Sequence, residues 1–129
     1  MTTPSGARVE CCNPAWLVEY TRRVTLMMKS YLRAGKSKLL WLALPAPRSV
    51  QLAPVTAQVN KAILAAAAGR AGVRVLRLDL LFTPGGSFRD SIIYRGQEVR
   101  VRAVDGVHLS AAGTAIAAEV IEEAMRQGW

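Results

Sequence analysis

Two short apolar segments set narrow limits on how this chain can fold. The first, residues 39–44, is an unbroken run of Leu, Trp and Ala that is followed by Pro45 and Pro47. An apolar run of this length with a proline stop is typical of a strand that is buried on both faces. The second segment, residues 73–79, is rich in Val and Leu and ends in Asp79. We therefore predict a buried strand over residues 39–44 and a second strand over residues 73–79.

Segments with helical periodicity alternate with these strands. A helix over residues 14–35 begins with a proline, which suits the first helical turn, and ends in a glycine that is a suitable C-cap. Apolar spacing predicts two more helices, over residues 52–69 and 110–127. Helix–strand–helix–strand order favours parallel pairing through right-handed crossovers, hence a layered α/β fold. Residues 82–101, with several Gly, Pro and Ser, are predicted to be a long connection.

The charge of the chain raises the question of a nucleic-acid partner. The net charge is +8, from 17 Lys and Arg against 9 Asp and Glu. Clustered basic side chains bind nucleic acids because they neutralise phosphates and release counterions. Here the basic residues are spread from Arg8 to Arg126 without a run of five or six, and no nucleic-acid-binding motif is present. The pattern therefore disfavours nucleic acid as the main partner.

The 129 residues suit a single domain. Residues 1–13 lack a sustained period and are predicted to be an N-terminal loop or arm, and residues 14–129 are predicted to form the folded unit. The N-terminus lacks the features of a signal peptide, and the longest apolar stretch is far shorter than a membrane span. For the sequence as written we expect no membrane span and a cytoplasmic location.

Two adjacent cysteines, Cys11 and Cys12, are the whole thiol content of the chain. Neighbouring residues lie closer together than disulfide geometry prefers, so we expect two reduced thiols in a loop. With one histidine and no third cysteine, the chain has too few ligands for a zinc site. No metal site is predicted.

The chemically informative segment is residues 104–113, Val-Asp-Gly-Val-His-Leu-Ser-Ala-Ala-Gly. It contains the only histidine of the chain, His108, and an imidazole is an effective general base near neutral pH. A carboxylate such as Asp105 can fix the imidazole tautomer and stabilise the imidazolium that forms. A turn just before the last helix can place both side chains at one rim. The spacing by itself is weak, and the alternative interpretation of His108 is a structural cap or a surface residue.

This block, followed by an Ala-rich apolar helix, resembles the last conserved block of the SGNH (GDSL-type) hydrolases. Upstream, residues 41–48 are similar to the fourth strand of that family and the loop after it, and residues 82–90 and 99–102 are similar to a bacterial branch often described only as a domain of unknown function. The resemblance covers residues 14 to about 125. It implies a three-layer α/β/α, flavodoxin-like parallel sheet with strand order 2-1-3-4-5, of which this chain would hold only the last two strands and their helices.

In that family the Asp and His of this block complete a Ser-Asp-His triad. Carried over by resemblance, Asp105 orients the imidazole, and His108 accepts the proton of a serine hydroxyl and later protonates the leaving alkoxide. The implied substrate is a small acyl ester. Such a mechanism uses no metal and no organic cofactor.

The chain departs from the family in the rest of the site. The blocks that carry the serine nucleophile, the oxyanion-hole glycine and the oxyanion-hole asparagine normally precede the first helix predicted here, and none is present. Ser110 is better explained as a helix N-cap, and Ser87 and Ser91 lack a glycine-framed turn that would expose them. Asn13 is interpreted as a helix-entry residue and Asn60 as mid-helix. The Asp-His pair is therefore expected to be inactive alone.

Three interpretations remain open at this point. The chain is a fragment of a serine ester hydrolase, or it is one half of a split esterase whose other polypeptide supplies the serine and asparagine blocks. The third interpretation is a pseudoenzyme, a non-enzymatic basic binding module that kept the scaffold and lost the chemistry.

Overall fold

The computed structural model describes residues 1–128, so Trp129, the last residue of the predicted folded unit, lies outside the described residues. The described chain forms four α-helices and four strands. In chain order they are α1 (Pro14–Leu32), β1 (Leu39–Leu42), α2 (Leu52–Ala67), β2 (Val73–Leu76), α3 (Leu78–Phe82), β3 (Ser91–Tyr94), β4 (Gln97–Arg100) and α4 (Ala111–Arg126).

Helix α1 begins as its sequence predicts and ends earlier. Asn13 is the N-cap, and its side-chain oxygen accepts a hydrogen bond of 2.8 Å from the Trp16 N–H. Pro14 occupies the first turn, where no intrahelical N–H is required. Arg33 adopts a left-handed conformation with φ of 49° and stops the helix at Leu32. The predicted extension to residue 35 is a separate 3₁₀ turn, so that boundary was wrong by about one turn.

Strands β1 and β2 pair in parallel, which confirms the predicted α/β class with an incomplete sheet. The register joins Leu39 to Val73 and Leu42 to Leu76. Both strands are shorter than predicted. β1 ends at Leu42, and the chain leaves β2 after Leu76 and forms α3. Both faces of β1 contact apolar clusters, as expected for a strand between two layers, but its four residues are only partly buried. Within residues 1–128 these two strands pair only with each other, so each keeps one unpaired edge.

The direction of the hydrogen bonds identifies the unpaired edge of β1. The N–H groups of Leu39 and Ala43 donate to Gly72 and Leu76 carbonyl oxygens at 2.8 and 2.9 Å. In a parallel strand the N–H and C=O of one residue point to the same side, and successive residues alternate. Leu40 and Leu42 therefore present their backbone groups to the opposite side. We call this side the open edge of β1.

Two apolar clusters lie on opposite faces of the β1–β2 sheet. On one face Trp41 and its neighbours contact residues of α1 and α2; the buried members are Val24, Met28, Ile63 and Ala66. On the other face Leu42 and Leu76 contact α3, the β3–β4 hairpin and α4; the buried members are Leu78, Phe82, Ile92, Val101, Ile116 and Ala117. The molecule is thus layered, with helices on both sides of the parallel pair.

The long connection predicted over residues 82–101 is largely ordered secondary structure. β3 and β4 form an antiparallel hairpin whose register joins Ser91 to Arg100. Its two-residue turn is Arg95-Gly96, with φ of 51° and 80°. Positive φ at both positions matches the right-handed twist of paired strands. The prediction of an irregular loop was wrong here, because arginine is not a typical first residue of such a turn.

Helix α4 follows a cap that the sequence predicts correctly. Ser110 is the N-cap, and its hydroxyl oxygen accepts a hydrogen bond of 3.0 Å from the Gly113 N–H. Ile116 is buried as expected, whereas Met125, which the periodicity placed on the buried stripe, is 62% exposed. The last turn of α4 therefore extends beyond the core.

Residues 1–13 form a loop in which Thr2 and Arg8 make an isolated antiparallel bridge. Cys11 and Cys12 are joined as a disulfide, so the expectation of two reduced thiols was wrong. Among the helices of residues 1–128, none is both long and apolar enough to cross a membrane.

Candidate functional site

The structure brings Asp105 and His108 into direct contact in one turn. The His108 ring nitrogen Nδ1 lies 2.6 Å from Asp105 Oδ2. The other carboxylate oxygen, Oδ1, accepts hydrogen bonds from the backbone N–H groups of Val107 and His108 at 2.8 and 3.0 Å. The carboxylate therefore holds the turn with one oxygen and the imidazole with the other.

The environment keeps the Asp105 carboxyl group ionised. The hydrogen bond from His108, and next those from the two backbone N–H groups, lower the pKa of Asp105 below its usual range. An ionised carboxylate can only accept, so Nδ1 of the ring is the donor, and Nε2 carries the lone pair whenever the ring is neutral. The His108 side chain is 78% exposed, and within residues 1–128 its ring hydrogen bond is made through Nδ1 and not through Nε2. This nitrogen is free to accept a proton from a group that approaches it from the solvent side.

The turn is closed by backbone hydrogen bonds at its base. Arg102 and Leu109 form an isolated antiparallel bridge. Inside that bridge the Ala103 N–H donates to the His108 carbonyl oxygen at 2.9 Å, and the Gly106 N–H donates to the Ala103 carbonyl oxygen at 3.0 Å. We call residues 103–108 the Asp-His turn. It leads directly into the cap of α4, so its end is fixed by a helix.

A cluster of two arginines and one aromatic ring lies beneath the Asp-His turn, and sequence analysis missed it. The Arg102 residue is 1% exposed, and its Nη2 donates to the Ala46 carbonyl oxygen at 2.8 Å. The Arg48 guanidinium donates to the Val104 carbonyl oxygen at 3.0 Å and to Asp90 at 2.9 Å. The guanidinium carbons of Arg48 and Arg102 lie 4.9 and 5.2 Å from the centre of the Phe88 ring.

No sequence pattern identifies this cluster in advance. Arg102 follows an alternating stretch in which Arg100 is exposed, and nothing in the composition distinguishes the two arginines. Burial of the guanidinium lowers the pKa of Arg102, while the charges of Asp105 and Asp90 raise it. Its Nε is buried without a hydrogen-bond partner among the described residues. Burying a cation with an unpaired donor costs free energy. The buried Arg102 therefore indicates a place where contacts between distant segments of the chain offset this cost.

The serines considered as nucleophiles do not accompany His108. The Ser110 hydroxyl donates to the Arg100 carbonyl oxygen at 2.8 Å and caps α4, so both of its hydrogen-bonding roles are filled. Ser87 follows a 3₁₀ turn at Pro84–Gly86, and Ser91 begins β3. In the described part of the chain, none of the three makes a hydrogen bond with the imidazole.

The two asparagines considered are also engaged elsewhere. Asn13 caps α1. Asn60 is buried, its side-chain oxygen accepts from the Leu44 N–H at 2.8 Å, and its side-chain nitrogen donates to the Leu44 carbonyl oxygen at 2.7 Å. Both amides therefore have structural roles in this chain.

Two cavities lie next to the loop after β1, and one of them reaches the Asp-His turn at Val107. The smaller, about 190 Å³, is bounded by the loop after β1, the start of α2 and Val107. The larger, about 390 Å³, lies between α2 and α3 and includes Lys61 and the ion pair of Arg77 with Asp79. The two share Leu44 and Thr56 as lining residues. A largely apolar recess is thus continuous with the residue that precedes His108.

A metal centre is not assembled in the part of the chain that the structure describes. No group of three or more His, Cys, Asp or Glu side chains is arranged to hold an ion within residues 1–128. The geometry instead offers one oriented, solvent-facing imidazole.

Comparison with known proteins adds one family match. The model of the family DUF459, described as a protein of unknown function, matches residues 1–124. A search of the curated proteins gives no match. The matched region includes the whole Asp-His turn, the arginine cluster beneath it and both strands of the parallel pair. The chain therefore belongs to the DUF459 family.

Proposed function

We propose that this chain supplies the acid–base half of a serine ester hydrolase of the SGNH type. The observation that carries the proposal is the 2.6 Å contact between His108 Nδ1 and Asp105 Oδ2, which leaves Nε2 facing solvent. A carboxylate behind an exposed imidazole is the arrangement that a general base requires. The resemblance of residues 104–113 to the last block of that hydrolase family supports the same assignment.

In the proposed reaction Nε2 of His108 takes the proton from a serine hydroxyl as the serine oxygen attacks the ester carbonyl carbon. The same imidazole then gives this proton to the leaving alkoxide, and a water molecule hydrolyses the acyl-enzyme by the reverse sequence. Asp105 stays ionised throughout and stabilises the imidazolium. The cavity of about 190 Å³ beside Val107 has the size and apolar lining to hold a small acyl group.

The serine and the oxyanion donors would come from a segment that pairs along the open edge of β1. Leu40 and Leu42 present their backbone groups to this edge, and a two-stranded sheet is marginal in water. An additional strand would satisfy these groups and cover half-buried apolar side chains. On this view residues 14–129 are the C-terminal portion of one hydrolase domain, preceded by the arm of residues 1–13.

The first experiment is to read the N-terminus of the natural product by mass spectrometry and to sequence the coding region upstream of Met1. The complete product, or this chain mixed with a separately encoded serine-bearing polypeptide, is then assayed with p-nitrophenyl acetate. We expect His108→Ala to reduce kcat/KM by about 10⁴- to 10⁶-fold and Asp105→Asn by about 10⁴-fold.

Arg95→Ala is the matched control, because Arg95 is an exposed hairpin residue that pairs with Glu119 and is not part of the turn. Its activity should equal that of the wild type. Hydrolysis that survives His108→Ala would exclude the proposed role. A cooperatively folded monomer without hydrolytic activity, binding a polyanion such as heparin at raised salt, would instead establish the binding-module alternative that the +8 charge suggests.

A further inference from the structure

Arg48 connects the loop after β1 to both sides of Asp105. Its backbone N–H donates to the Gly106 carbonyl oxygen at 2.9 Å. Its side-chain Nη1 donates to the Val104 carbonyl oxygen at 3.0 Å. Arg48 thus binds the carbonyl groups of Val104 and Gly106, the residues on either side of Asp105.

These contacts leave the reactive side of the turn unobstructed. Arg48 binds backbone oxygens and the Asp90 carboxylate, at 2.9 Å, and within residues 1–128 no hydrogen bond joins it to the Asp105 carboxylate. Asp105 Oδ2 therefore stays available to His108. Because the His108 side chain is largely exposed, its orientation depends on Asp105 and not on packing.

Close packing reinforces the hydrogen bonds. Gly106 has φ of 71°, and a Cβ built on it would lie 2.6 Å from the Arg48 Cβ. The backbone of the turn therefore rests directly on the stem of Arg48. Beneath it, the buried Arg102 donates to the Ala46 carbonyl oxygen at 2.8 Å and reaches the Gly106 carbonyl oxygen at 3.4 Å.

The Phe88 ring completes the support. The guanidinium carbons of both arginines lie within 5.2 Å of its centre, so their positive charges face the ring. Asp90, two residues on, pairs with Arg48. The aromatic ring and the carboxylate together restrict the rotamers that Arg48 can adopt.

We infer that Arg48 is a positioning residue, which fixes the backbone on both sides of Asp105 so that Oδ2 holds His108 in the Nδ1–H tautomer. This inference rests on the proposed function for its catalytic meaning. The positioning itself is a property of this chain and is measurable without any substrate.

The test uses the only imidazole of the chain as its own reporter. Ring ¹⁵N chemical shifts of His108, recorded at alkaline pH where the ring is neutral, give the ratio of the Nδ1–H to the Nε2–H tautomer. In Arg48→Ala we expect this ratio to fall about fivefold, which is the effect of losing a restraint equivalent to one hydrogen bond. Arg48→Lys keeps the cation but not the planar guanidinium group, so its tautomer ratio should lie between those of the wild type and Arg48→Ala.

Arg95→Ala is again the matched control, since Arg95 is an exposed arginine that also pairs with a carboxylate and lies 5.3 Å from the Tyr94 ring centre. Its tautomer ratio should be that of the wild type. A wild-type ratio in folded Arg48→Ala overturns the inference, and if that variant does not fold, a wild-type ratio in Arg48→Lys does so.

The outcome is separable from that of the proposed function. In an active complete product, Arg48→Ala should lower kcat by at most about fivefold with KM unchanged, because a base of the wrong tautomer cannot accept the serine proton. A shifted tautomer ratio together with a product that never hydrolyses esters would support the positioning role and reject the hydrolase.

Discussion

The two sides of β1 differ in how far this chain completes them. Beyond the carboxyl end of the strand, two hydrogen bonds from Arg48 join the loop of residues 46–48 to the Asp-His turn, and Arg102 donates to Ala46 in the loop and to Gly106 in the turn. Along the open edge, the backbone groups of Leu40 and Leu42 face no strand within residues 1–128. One region is bonded by residues of this chain, whereas the other has backbone groups that no strand of residues 1–128 pairs with.

The Asp-His turn and the sheet are therefore separable units of this fold. The imidazole and its carboxylate are neighbours in sequence, so their geometry depends on a short turn and on the arginines beneath it. The sheet depends on strand pairing over long sequence distances, which a two-stranded unit provides only in part. We therefore expect substitutions in the two regions to have different readouts.

Gly113→Ala should give the largest loss of stability, because it disrupts the region beyond the carboxyl end of β1, which residues of this chain hold together. A Cβ at this position would lie 2.2 Å from the Val101 carbonyl oxygen, which also accepts the Ser110 N–H. Alanine gains about 1 kcal/mol in helix propensity, but the clash outweighs it, and we expect a net loss of about 3 kcal/mol or more in the free energy of unfolding. Urea unfolding measures it.

Gly96→Ala is the comparison for this loss. Gly96 has φ of 80° in the hairpin turn, and a Cβ there would meet no atom within 4 Å. Only backbone strain of about 1–2 kcal/mol is expected. Equal losses for the two variants would mean that the approach of α4 to Val101 is not as close as described.

Proline substitutions at adjacent leucines should separate the paired edge of β1 from the open edge. Leu39→Pro removes the N–H that donates to Gly72 at 2.8 Å, and we expect a loss of about 3 kcal/mol in the free energy of unfolding. Leu40→Pro removes an N–H that faces the open edge, where proline is tolerated. Leu39→Ala and Leu40→Ala are measured alongside, so that the stability lost with each leucine side chain can be subtracted from the effect of proline.

The same pair tests strand addition. Leu40→Pro should retain the fold yet prevent association with a serine-bearing polypeptide, measured by analytical ultracentrifugation of the mixture. If Leu40→Pro destabilised the chain as strongly as Leu39→Pro, the assignment of the open edge would be wrong.

Asn60→Ala should have an intermediate effect, because Asn60 lies where the two regions meet. Its side chain satisfies both the N–H and the C=O of Leu44 from a buried position. Leaving two backbone groups without partners should cost about 1–3 kcal/mol. Gln58→Ala is the control for a substitution within helix α2. Among the described residues, the Gln58 side chain makes no hydrogen bonds of this kind.

Asp105→Asn should have the smallest effect on stability, and this effect should depend most strongly on pH. Its pKa is lowered in the folded chain, so the stability it contributes is present above the carboxyl pKa of the unfolded chain, about 3.9, and is lost as the pH falls toward the lower folded value. The difference in unfolding free energy between the wild type and Asp105→Asn should be at its full size above about pH 5 and shrink as the pH falls through the carboxyl range. A difference that grows in acid would contradict the hydrogen bond from His108.

The elements that sequence reasoning predicted correctly are those with local determinants. Asn13 and Ser110 bind N–H groups three residues away, and the apolar periodicity of the helices is visible in any short window. The juxtaposition of Asp105 and His108 was equally accessible, because only two residues separate them and a tight turn must bring them close.

What sequence reasoning missed depends on distant residues. Arg48 and Val104 are 56 positions apart, and no local pattern indicates that they are in contact. The hairpin was missed because Arg95 replaces the asparagine or aspartate that usually begins such a turn. The length of β1 was overestimated because hydrophobicity does not reveal which backbone groups a side chain will occupy, as Asn60 does at Leu44.

That amide also limits how a complementary chain can add to the sheet. β1 ends at Leu42, and the N–H and C=O of Leu44, two residues further along, are already bound by the Asn60 side chain. A strand laid parallel to β1 can be hydrogen bonded at Leu40 and Leu42 and must leave the sheet before Leu44. The residues that follow such a strand would emerge level with the loop that contacts the Asp-His turn. If the proposed strand adds to this edge, Asn60 would limit its length and thereby the position of the residue that follows it.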